Sequence, residues 1–291
     1  MIKKPLLSSM HTHTTFCDGE NDIETMCKYA YKKKLFALGF SAHAPLRKYL
    51  GDKSWWTIKE ERVPEYIKEV QAAKERWHDK LNIYLGFEVD YIKNIRSPVD
   101  KDIASLNPDY IIGSVHYVIP KNGADLFTID GSAQEFEKGL NEGFEGDALS
   151  LMNSYYDAQL EMISNGGFEI LGHADIIKKN CHNKNYWPED EELRRQREVA
   201  QAALRAGITI EVNTGGINRK KIKDVYPSLS FLRIIREYNI PVIITADAHK
   251  VKHINGNYKK ALNILKSAGI NEHSLFIGKK NGKSIWQKEK L

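Results

Sequence analysis

The chain has 291 residues, of which 42% are hydrophobic and 28% charged, a balance typical of folded globular proteins that argues against intrinsic disorder. Its longest apolar runs are strand-sized, so we expect no transmembrane span. No apolar stretch follows the amino terminus, so we expect no secretory signal either. The formal net charge of +5 suits an anionic substrate, but a solvated surface carries such an excess equally well, and we favour the surface interpretation.

Cysteine usage bears on the compartment in which the protein works. Cys17, Cys27 and Cys181 are odd in number and stand at unrelated spacings. Disulfides form in oxidising compartments and join cysteines in pairs. Together with the missing export signal, this pattern predicts free thiols and a cytoplasmic location.

Short apolar runs alternate with segments of helical periodicity from one end of the chain to the other. The runs are rich in Ile, Val, Leu and Phe, and they cover residues 5–10, 36–41, 83–89, 110–115, 168–172, 208–212 and 240–245. Near-continuous apolar runs of this length are typical of strands that are buried on both faces of a parallel sheet. The sequence therefore predicts a parallel sheet built from these runs.

Amphipathic segments lie between the predicted strands. Apolar residues recur at helical spacing within 23–30, 63–77, 193–204, 229–235 and 261–265. The alternation predicts the α/β class, either as a βα barrel or as an open doubly wound sheet. No Gly-rich phosphate-binding loop follows a predicted strand, which disfavours a nucleotide-binding sheet.

The chain shows no linker and no internal repeat, so we expect one domain over residues 1–291. Two connections are unusually long. One covers residues 47–62 and contains the pair Trp55-Trp56, and the other is an inserted connection at about 119–150 with five glycines. Long ordered connections in barrels often form lids or pocket walls, which we expect of both.

Ionisable residues follow the predicted strands, one or more after each strand. In a barrel, the carboxyl ends of all strands share one face, where the active site is built. A single histidine at such a position is usually structural, but a full set is not expected by accident. The ionisable residues are His11, His13, Asp18, His43, Glu88, His116, His173, Asp175, Glu211, Asp247 and His249, and Asn213 adds an amide as a further potential ligand.

A mixed set of imidazoles and carboxylates suits Zn, Fe or Mn and does not choose among them. The set exceeds what one four-coordinate zinc needs, so it predicts a multinuclear site of the kind that serves hydrolysis. Three other histidines do not follow a predicted strand. His78 lies in a charged helical segment, and His253 and His273 lie beyond the last motif. We predict that these three are surface residues.

The series His11-Thr-His13, Glu88, His116, Gly172-His173-Ala-Asp175 and Asp247-Ala-His249 resembles the PHP family, named for polymerase and histidinol phosphatase domains. The resemblance covers nearly the whole chain. It is strongest to the monofunctional histidinol-phosphate phosphatases, because of the stretch 113–117, the pair Ile129-Asp130 and the lack of an attached polymerase. It implies a distorted (β/α)7 barrel, a single PHP-type domain, with three divalent metal ions.

The resemblance also implies which residues hold each metal. The first would be held by His11, His13, Glu88 and Asp247, the second by Glu88, His116 and His173, and the third by Asp18, His43 and His249. Some family members have a histidine where this chain has Asp18, which puts the third site in doubt. An oxygen ligand there favours a harder metal.

Catalytic and phosphate-binding roles follow from the same resemblance. The leaving alkoxide needs a proton, and Asp247 and His249 are the candidate donors. Lys178 stands where related enzymes tend to place an arginine that binds the phosphate, and Arg197 is the alternative. Asp125, Asp130 and Glu135 in the long connection are candidate partners for a substrate amine, although their positions fit solvated surface residues equally well.

The activity implied is metal-dependent hydrolysis of L-histidinol phosphate to L-histidinol and phosphate in histidine biosynthesis. The expected partner is thus a small phosphate monoester, without nucleic acid, membrane or an obligate protein partner. A phosphodiesterase or nuclease of the PHP type, or another small-molecule phosphatase, is the alternative. Nucleic-acid binding would require basic and aromatic residues near the site, whereas the basic cluster from Lys279 to Lys290 lies far from the motifs. A metal-bound structural module is the remaining alternative, and it would be expected to have lost ligands.

Overall fold

The computed structural model of the chain describes residues 5–120, 122–123, 125–181 and 186–291. Its strands, in chain order, are β1 (Ser8–Ser9), β2 (Ala37–His43), β3 (Asn82–Asp90), β4 (Tyr110–Ser114), β5 (Tyr117–Val118), β6 (Phe127–Thr128), β7 (Ile170–Leu171), β8 (Thr209–Asn213), β9 (Val242–Thr245), β10 (Glu272–Lys280) and β11 (Lys283–Lys290). Its helices are α1 (Ile23–Lys32), α2 (Arg47–Leu50), α3 (Val63–Trp77), α4 (Lys101–Ser105), α5 (Ala133–Phe144), α6 (Ala148–Asn165), α7 (Glu189–Ala206), α8 (Gly215–Asn218), α9 (Leu229–Glu237) and α10 (Tyr258–Ser267).

Seven strands pair in parallel in the order β1-β2-β3-β4-β7-β8-β9, with helices outside them. The seam between the first and the last strand is closed beyond β1 and β9, where Thr12 and Ala248 form a parallel bridge. The Ala248 carbonyl accepts a hydrogen bond from His13 N at 2.9 Å, and Ala248 N donates one to the His11 carbonyl at 3.0 Å. The predicted distorted seven-stranded α/β barrel is therefore confirmed.

The interior of the barrel changes character along its axis, because alternate residues of each strand point inwards. Near the amino ends of the strands the inward side chains are apolar, and they include Met10, Tyr110, Ile112 and Ile243. Tyr110 crosses this layer and donates a hydrogen bond to the Met10 carbonyl at 2.5 Å. A Cβ at Gly39 would lie 2.4 Å from the Tyr110 oxygen and one at Gly86 would lie 2.4 Å from its ring, so both positions require glycine. The carboxyl half of the barrel carries the ionisable residues.

The β10–β11 hairpin was not predicted, since its lysines resemble a solvated tail. Asn281 and Gly282 form its turn with φ of 53° and 74°, and an Asn-Gly pair between alternating apolar residues is a hairpin signal that the sequence does contain. Phe276 is fully buried and packs beneath the apolar layer of the barrel, against Tyr110 and Trp286. The hairpin thereby closes the end of the barrel opposite the ligands.

The inserted connection at 119–150 is mostly ordered structure and not an open loop. Strand β6 pairs antiparallel with β5, and α5 begins at a capping box in which Ser132 and Glu135 bond each other's backbone N–H groups. Gly139 and Gly143 suggest a loop in the sequence. In the structure Gly139 instead allows the Phe127 ring to approach, because a Cβ there would lie 2.4 Å from it.

No helix within the described parts of the chain is long and apolar enough to cross a membrane. The longest helices, α6 and α7, have 18 residues each. α6 buries one face, whereas α7 opens with four acidic residues in its first turn.

We predict that Phe276→Ala will lower the free energy of unfolding by about 3–5 kcal/mol, because it leaves a cavity under the barrel. Ile277, the next residue on β10, is 38% exposed, and Ile277→Ala should change stability by less than about 0.5 kcal/mol. Urea denaturation of both variants beside the unchanged protein measures the difference. Equal losses of stability in the two variants would show that the hairpin does not close the end of the barrel through Phe276.

Candidate metal centre

Five histidines from four strand ends converge on one buried carboxylate, that of Glu88 on β3. Its Oε2 lies 3.0 Å from His11 Nε2 and 3.1 Å from His43 Nδ1. Its Oε1 lies 2.9 Å from His173 Nε2 and accepts a hydrogen bond from Ser114 Oγ at 2.7 Å. Glu88 is thus placed to touch more than one cation at once.

The remaining carboxylates complete the ring of candidate ligands. Asp247, beyond β9, places Oδ1 3.3 Å from His13 Nε2 and 3.8 Å from His11 Nε2. Asp18, in the turn after β1, places Oδ2 3.0 Å from His249 Nε2. The structure therefore brings together all nine residues for which the sequence predicts a ligand role.

Within this ring, several groups offer ligand atoms that lie within 4.8 Å of one another. Of the five groups among the described residues, three resemble the sites that the family pattern implies, and they are His11, His13 and Glu88; Glu88, His116 and His173; and His13, Asp18, His43 and His249. The other two combine residues of different implied sites, and they are His11, His173 and Asp247; and His43, Asp90 and His116.

Two further carboxylates orient the histidines from behind. Glu211 on β8 contacts His11 Nδ1 at 2.9 Å, and Asp90 on β3 contacts His116 Nδ1 at 2.7 Å. Each contact holds the far nitrogen of its imidazole and turns the other nitrogen towards the cluster, which is how metal-binding histidines are usually held. Glu211 was recognised at a strand end, but its orienting role depends on the neighbouring strand and could not be read from sequence.

The protein's own groups already stabilise positive charge in the cluster. Burial by itself would lower the pKa of His116, but the carboxylates of Asp90 and Glu88 raise it to about 10. Burial likewise opposes ionisation of Glu88, yet its pKa is held well below the usual range by His11, His43 and His116. Burial and the neighbouring His249 and His43 lower the pKa of His13 to about 3, which leaves a neutral imidazole with a free lone pair.

Divalent cations fit this donor set. Among the described residues, the cluster contains buried nitrogen and oxygen atoms that make no hydrogen bond. Buried polar atoms without partners are rare in folded proteins and call for an ion or a ligand. The atoms are His11 Nε2, His13 Nε2, Asp18 Oδ1, His43 Nδ1, Glu88 Oε2 and His173 Nδ1.

The positively charged side chain that contacts the cluster is not one of the two proposed from the sequence, Lys178 and Arg197. Lys178 donates to Asp175 at 2.9 Å and to the Val225 carbonyl at 2.8 Å, and Arg197 is an exposed residue of α7 that pairs with Glu237. Arg219, just after α8, instead donates to Asp247 Oδ2 at 2.7 Å and to His249 Nδ1 at 3.0 Å. The structure does not bring Lys178 or Arg197 to the cluster.

A cavity of about 370 Å³ opens above the candidate ligands, and we call it the catalytic cavity. Its lining includes two positively charged side chains, Arg219 and Lys179, and two carboxylates, Asp130 and Glu135. Trp55 and Trp56 also line it. Both long connections thus supply walls to it.

The prediction for the three other histidines is wrong in two cases. His78 is exposed, with 70% of its side chain accessible, but His253 and His273 are buried. Their burial depends on tertiary packing that the sequence does not reveal. His273 lies at the start of the unpredicted hairpin, and His253 lies in the turn before α10. None of the three is among the grouped candidate ligands in the described residues.

The chain belongs to the PHP family, because the model of the PHP domain matches residues 9–215, more than half of the sequence. It is similar to a protein of Deinococcus radiodurans named probable histidinol-phosphatase, with 27% identity over regions that cover 90% of this chain and 94% of that protein.

Two solved structures share the fold. The putative histidinol phosphatase of Listeria monocytogenes superposes with a TM-score of 0.77 at 22% identity, covering 87% of this chain and 99% of that one. Histidinol phosphate phosphatase of Lactococcus lactis was solved in complex with Zn, L-histidinol and phosphate. It superposes with a TM-score of 0.70 at 19% identity, covering 96% of this chain and 98% of that one. At these identities the likeness establishes the barrel architecture.

We predict that Glu88→Gln will lose most of the bound divalent metal, because Glu88 contacts histidines of more than one candidate group. Asp18→Asn should lose a smaller share, since Asp18 belongs to one group only. Glu135→Gln, which lines the same cavity outside those groups, serves as the matched control and should keep its metal. Elemental analysis after gel filtration measures all three variants, and equal loss in the first two would contradict a role for Glu88 in more than one candidate group.

Proposed function

We propose that this protein is a metal-dependent phosphomonoesterase that hydrolyses L-histidinol phosphate to L-histidinol and phosphate, a step of histidine biosynthesis. The observation that carries the proposal is the buried ring of nine ligand-type residues beneath a cavity that also holds Arg219. The similarity to proteins named histidinol-phosphatase supports the choice of substrate.

Three divalent cations, Zn, Fe or Mn, are proposed as the cofactor. His11, His13 and Glu88 would hold the first together with Asp247, which contacts both histidines. Glu88, His116 and His173 would hold the second, and Asp18, His43 and His249 the third. When bound, such cations supply Lewis acidity towards water and phosphoryl oxygens. The zinc in the Lactococcus lactis structure is consistent with this donor set.

Arg219 is the proposed phosphate-binding residue. It is always charged, and a guanidinium suits phosphate oxygens because it can donate two parallel hydrogen bonds. Its pKa is raised further because the Asp247 and Asp130 carboxylates outweigh the effect of burial. The carboxylate of Asp247 holds one edge of Arg219 in place and orients the rest towards the cavity.

Asp247 is the proposed proton carrier. Arg219 and His11 hold its pKa well below the usual range although burial opposes this, so it enters the reaction as a carboxylate. It can then accept a proton from the attacking water and deliver it to the leaving alkoxide oxygen. His249 is less suited to that role, because one of its nitrogens faces Asp18 and the other accepts from Arg219.

Asp130 is the proposed partner for the ammonium group of L-histidinol phosphate. Burial would raise its pKa, but His116 and Lys179 lower it, so the carboxylate is ionised beside the metal cluster. Asp130 itself contacts Lys179 Nζ at 3.5 Å, and the other two carboxylates named from sequence are engaged outside the cluster. Asp125 is exposed and pairs with Lys53, and Glu135 caps α5 through the Ser132 backbone.

The nuclease alternative finds no support in the position of the basic residues. The lysines that cluster near the carboxyl terminus lie on β10 and β11, at the amino end of the barrel. Lys279, for example, pairs with Glu169, two residues before Leu171 of β7. The metal cluster lies at the opposite end, so this basic surface cannot deliver a polynucleotide to it.

We predict that kcat/KM for L-histidinol phosphate exceeds that for bis-p-nitrophenyl phosphate by about 100-fold or more, because a site built for a dianionic phosphate and an amine rejects substrates that lack them. Phosphate release and p-nitrophenol release measure the two rates on one metal-loaded preparation. Faster cleavage of the diester, or of single-stranded DNA, would favour the nuclease alternative.

We also predict that Arg219→Met lowers kcat/KM by about 100-fold, the cost of removing one charge-stabilising donor. Arg219→Lys should fall between Arg219→Met and the unchanged protein, because it keeps the charge and loses the bidentate geometry. Arg197→Met is the matched control on an exposed face and should behave as the unchanged protein. Metal content is measured in parallel, and full activity in metal-loaded Arg219→Met would refute the assignment.

A further inference from the structure

A second cavity of about 410 Å³ adjoins the catalytic cavity, and we call it the side cavity. The two share Trp55, Trp56, Thr128 and Glu135 as lining residues. Beyond this boundary the side cavity is lined by the end of α2, by β5 and β6, and by α5, and it is partly open to solvent. A molecule whose phosphate lies over the metal cluster can therefore extend into it.

Part of the wall of the side cavity is aromatic and apolar, and the rest is polar. Trp56 stacks on Tyr117, with ring centroids 5.8 Å apart and 18° between the planes. Phe127 forms a further wall, held against the backbone of α5 at Gly139. Leu50 and Leu126 line the side cavity and are not part of the catalytic cavity. Flat hydrophobic walls of this kind accept planar rings.

The charged residues around the side cavity are already paired. Lys53 contacts Asp125 at 2.9 Å, and Lys138 contacts Glu142 at 3.9 Å across one turn of α5. Glu135 accepts a hydrogen bond from Ser132 N at 2.7 Å. The catalytic cavity also contains ion pairs, Lys179 with Asp130 and Arg219 with Asp247, but these are largely buried. The ion pairs around the side cavity are exposed to solvent, so its aromatic and apolar side chains offer the main contact to a ligand.

From this contrast we propose that the side cavity binds an uncharged aromatic group carried by the alcohol part of a phosphomonoester. The protein would then hydrolyse monoesters of extended aryl-substituted alcohols as a further activity. In that reaction a water oxygen bonds to phosphorus, the bond from phosphorus to the alcohol oxygen breaks, and the water proton ends on the alcohol. The inference rests on the phosphomonoesterase function proposed above.

A matched pair of substrates isolates the contribution of the side cavity. Benzyl phosphate and biphenyl-4-ylmethyl phosphate share the same type of leaving alcohol and differ by one ring. The second ring should raise kcat/KM about tenfold, which corresponds to about 1.4 kcal/mol. Calorimetric titration with the corresponding non-hydrolysable phosphonates should give a similar ratio of Kd values, and this readout does not depend on turnover.

Two variants fill the side cavity from different walls. Leu50→Trp and Leu126→Trp should each remove the tenfold advantage of the larger substrate while leaving benzyl phosphate turnover unchanged. Tyr49→Trp is the matched control: Tyr49 adjoins Leu50 but is 44% exposed and lines neither cavity, so the advantage should remain.

The outcomes separate the two proposals. If benzyl phosphate is hydrolysed and the second ring brings no gain, or if the gain persists in both filled variants, the side cavity does not bind the aromatic group. If no phosphomonoester is hydrolysed, the proposed function fails and the further activity fails with it. In that case the phosphonate titrations still show whether the aromatic group binds.

Discussion

The burial of Glu88 is the constraint on which the rest of the site depends. Its side chain is 1% exposed, and an ionised carboxylate removed from water costs several kcal/mol unless other groups compensate it. That compensation comes from histidines on separate strands, each within about one hydrogen-bond length. Such contacts form only if the strands end at the same level. The parallel register, in which His43 of β2 lies beside Glu88 of β3, provides that alignment.

The apolar half of the barrel makes the ionisable half possible. Tyr110, Met10 and Phe276 are fully buried beneath the ligands and contact one another or the same neighbours. Burial of apolar surface is the main favourable term in folding, and a cluster of like-charged or unpaired groups contributes little or opposes it. Along the barrel axis, an apolar layer that stabilises the fold is therefore followed by a polar layer that contains the candidate ligands.

Much of the site could be predicted because the signal is local. A strand of a parallel barrel is recognisable by its apolar run, and the residue that follows it must lie on the active-site face. That reasoning places His43, Glu88 and His116 without knowledge of tertiary structure. The orienting roles of Asp90 and Glu211 need the identity of the neighbouring strand, which the sequence does not reveal.

Arg219 could not be predicted for a related reason. Lys178 lies three residues after Asp175 of the fifth motif, but its ammonium group is turned away to Asp175 itself and to the Val225 carbonyl. Arg219 reaches the cluster because α8 turns the chain after β8 across the top of the barrel. Which cation arrives is decided by the path of a connection, and connections follow tertiary packing more than local sequence.

Asp247 shows that closure of the barrel and formation of the site are one event. It adopts a left-handed conformation with φ of 47°, which is costly for a residue with a side chain and is typical of functional positions. The next residue, Ala248, makes the two backbone hydrogen bonds that close the seam, and their partners are His11 and His13. The turn thereby directs Asp247 and His249 to the cluster while the residue between them joins the first strand to the last. Because the seam is made from the backbone of the ligands themselves, the barrel cannot close without bringing His11, His13, Asp247 and His249 together.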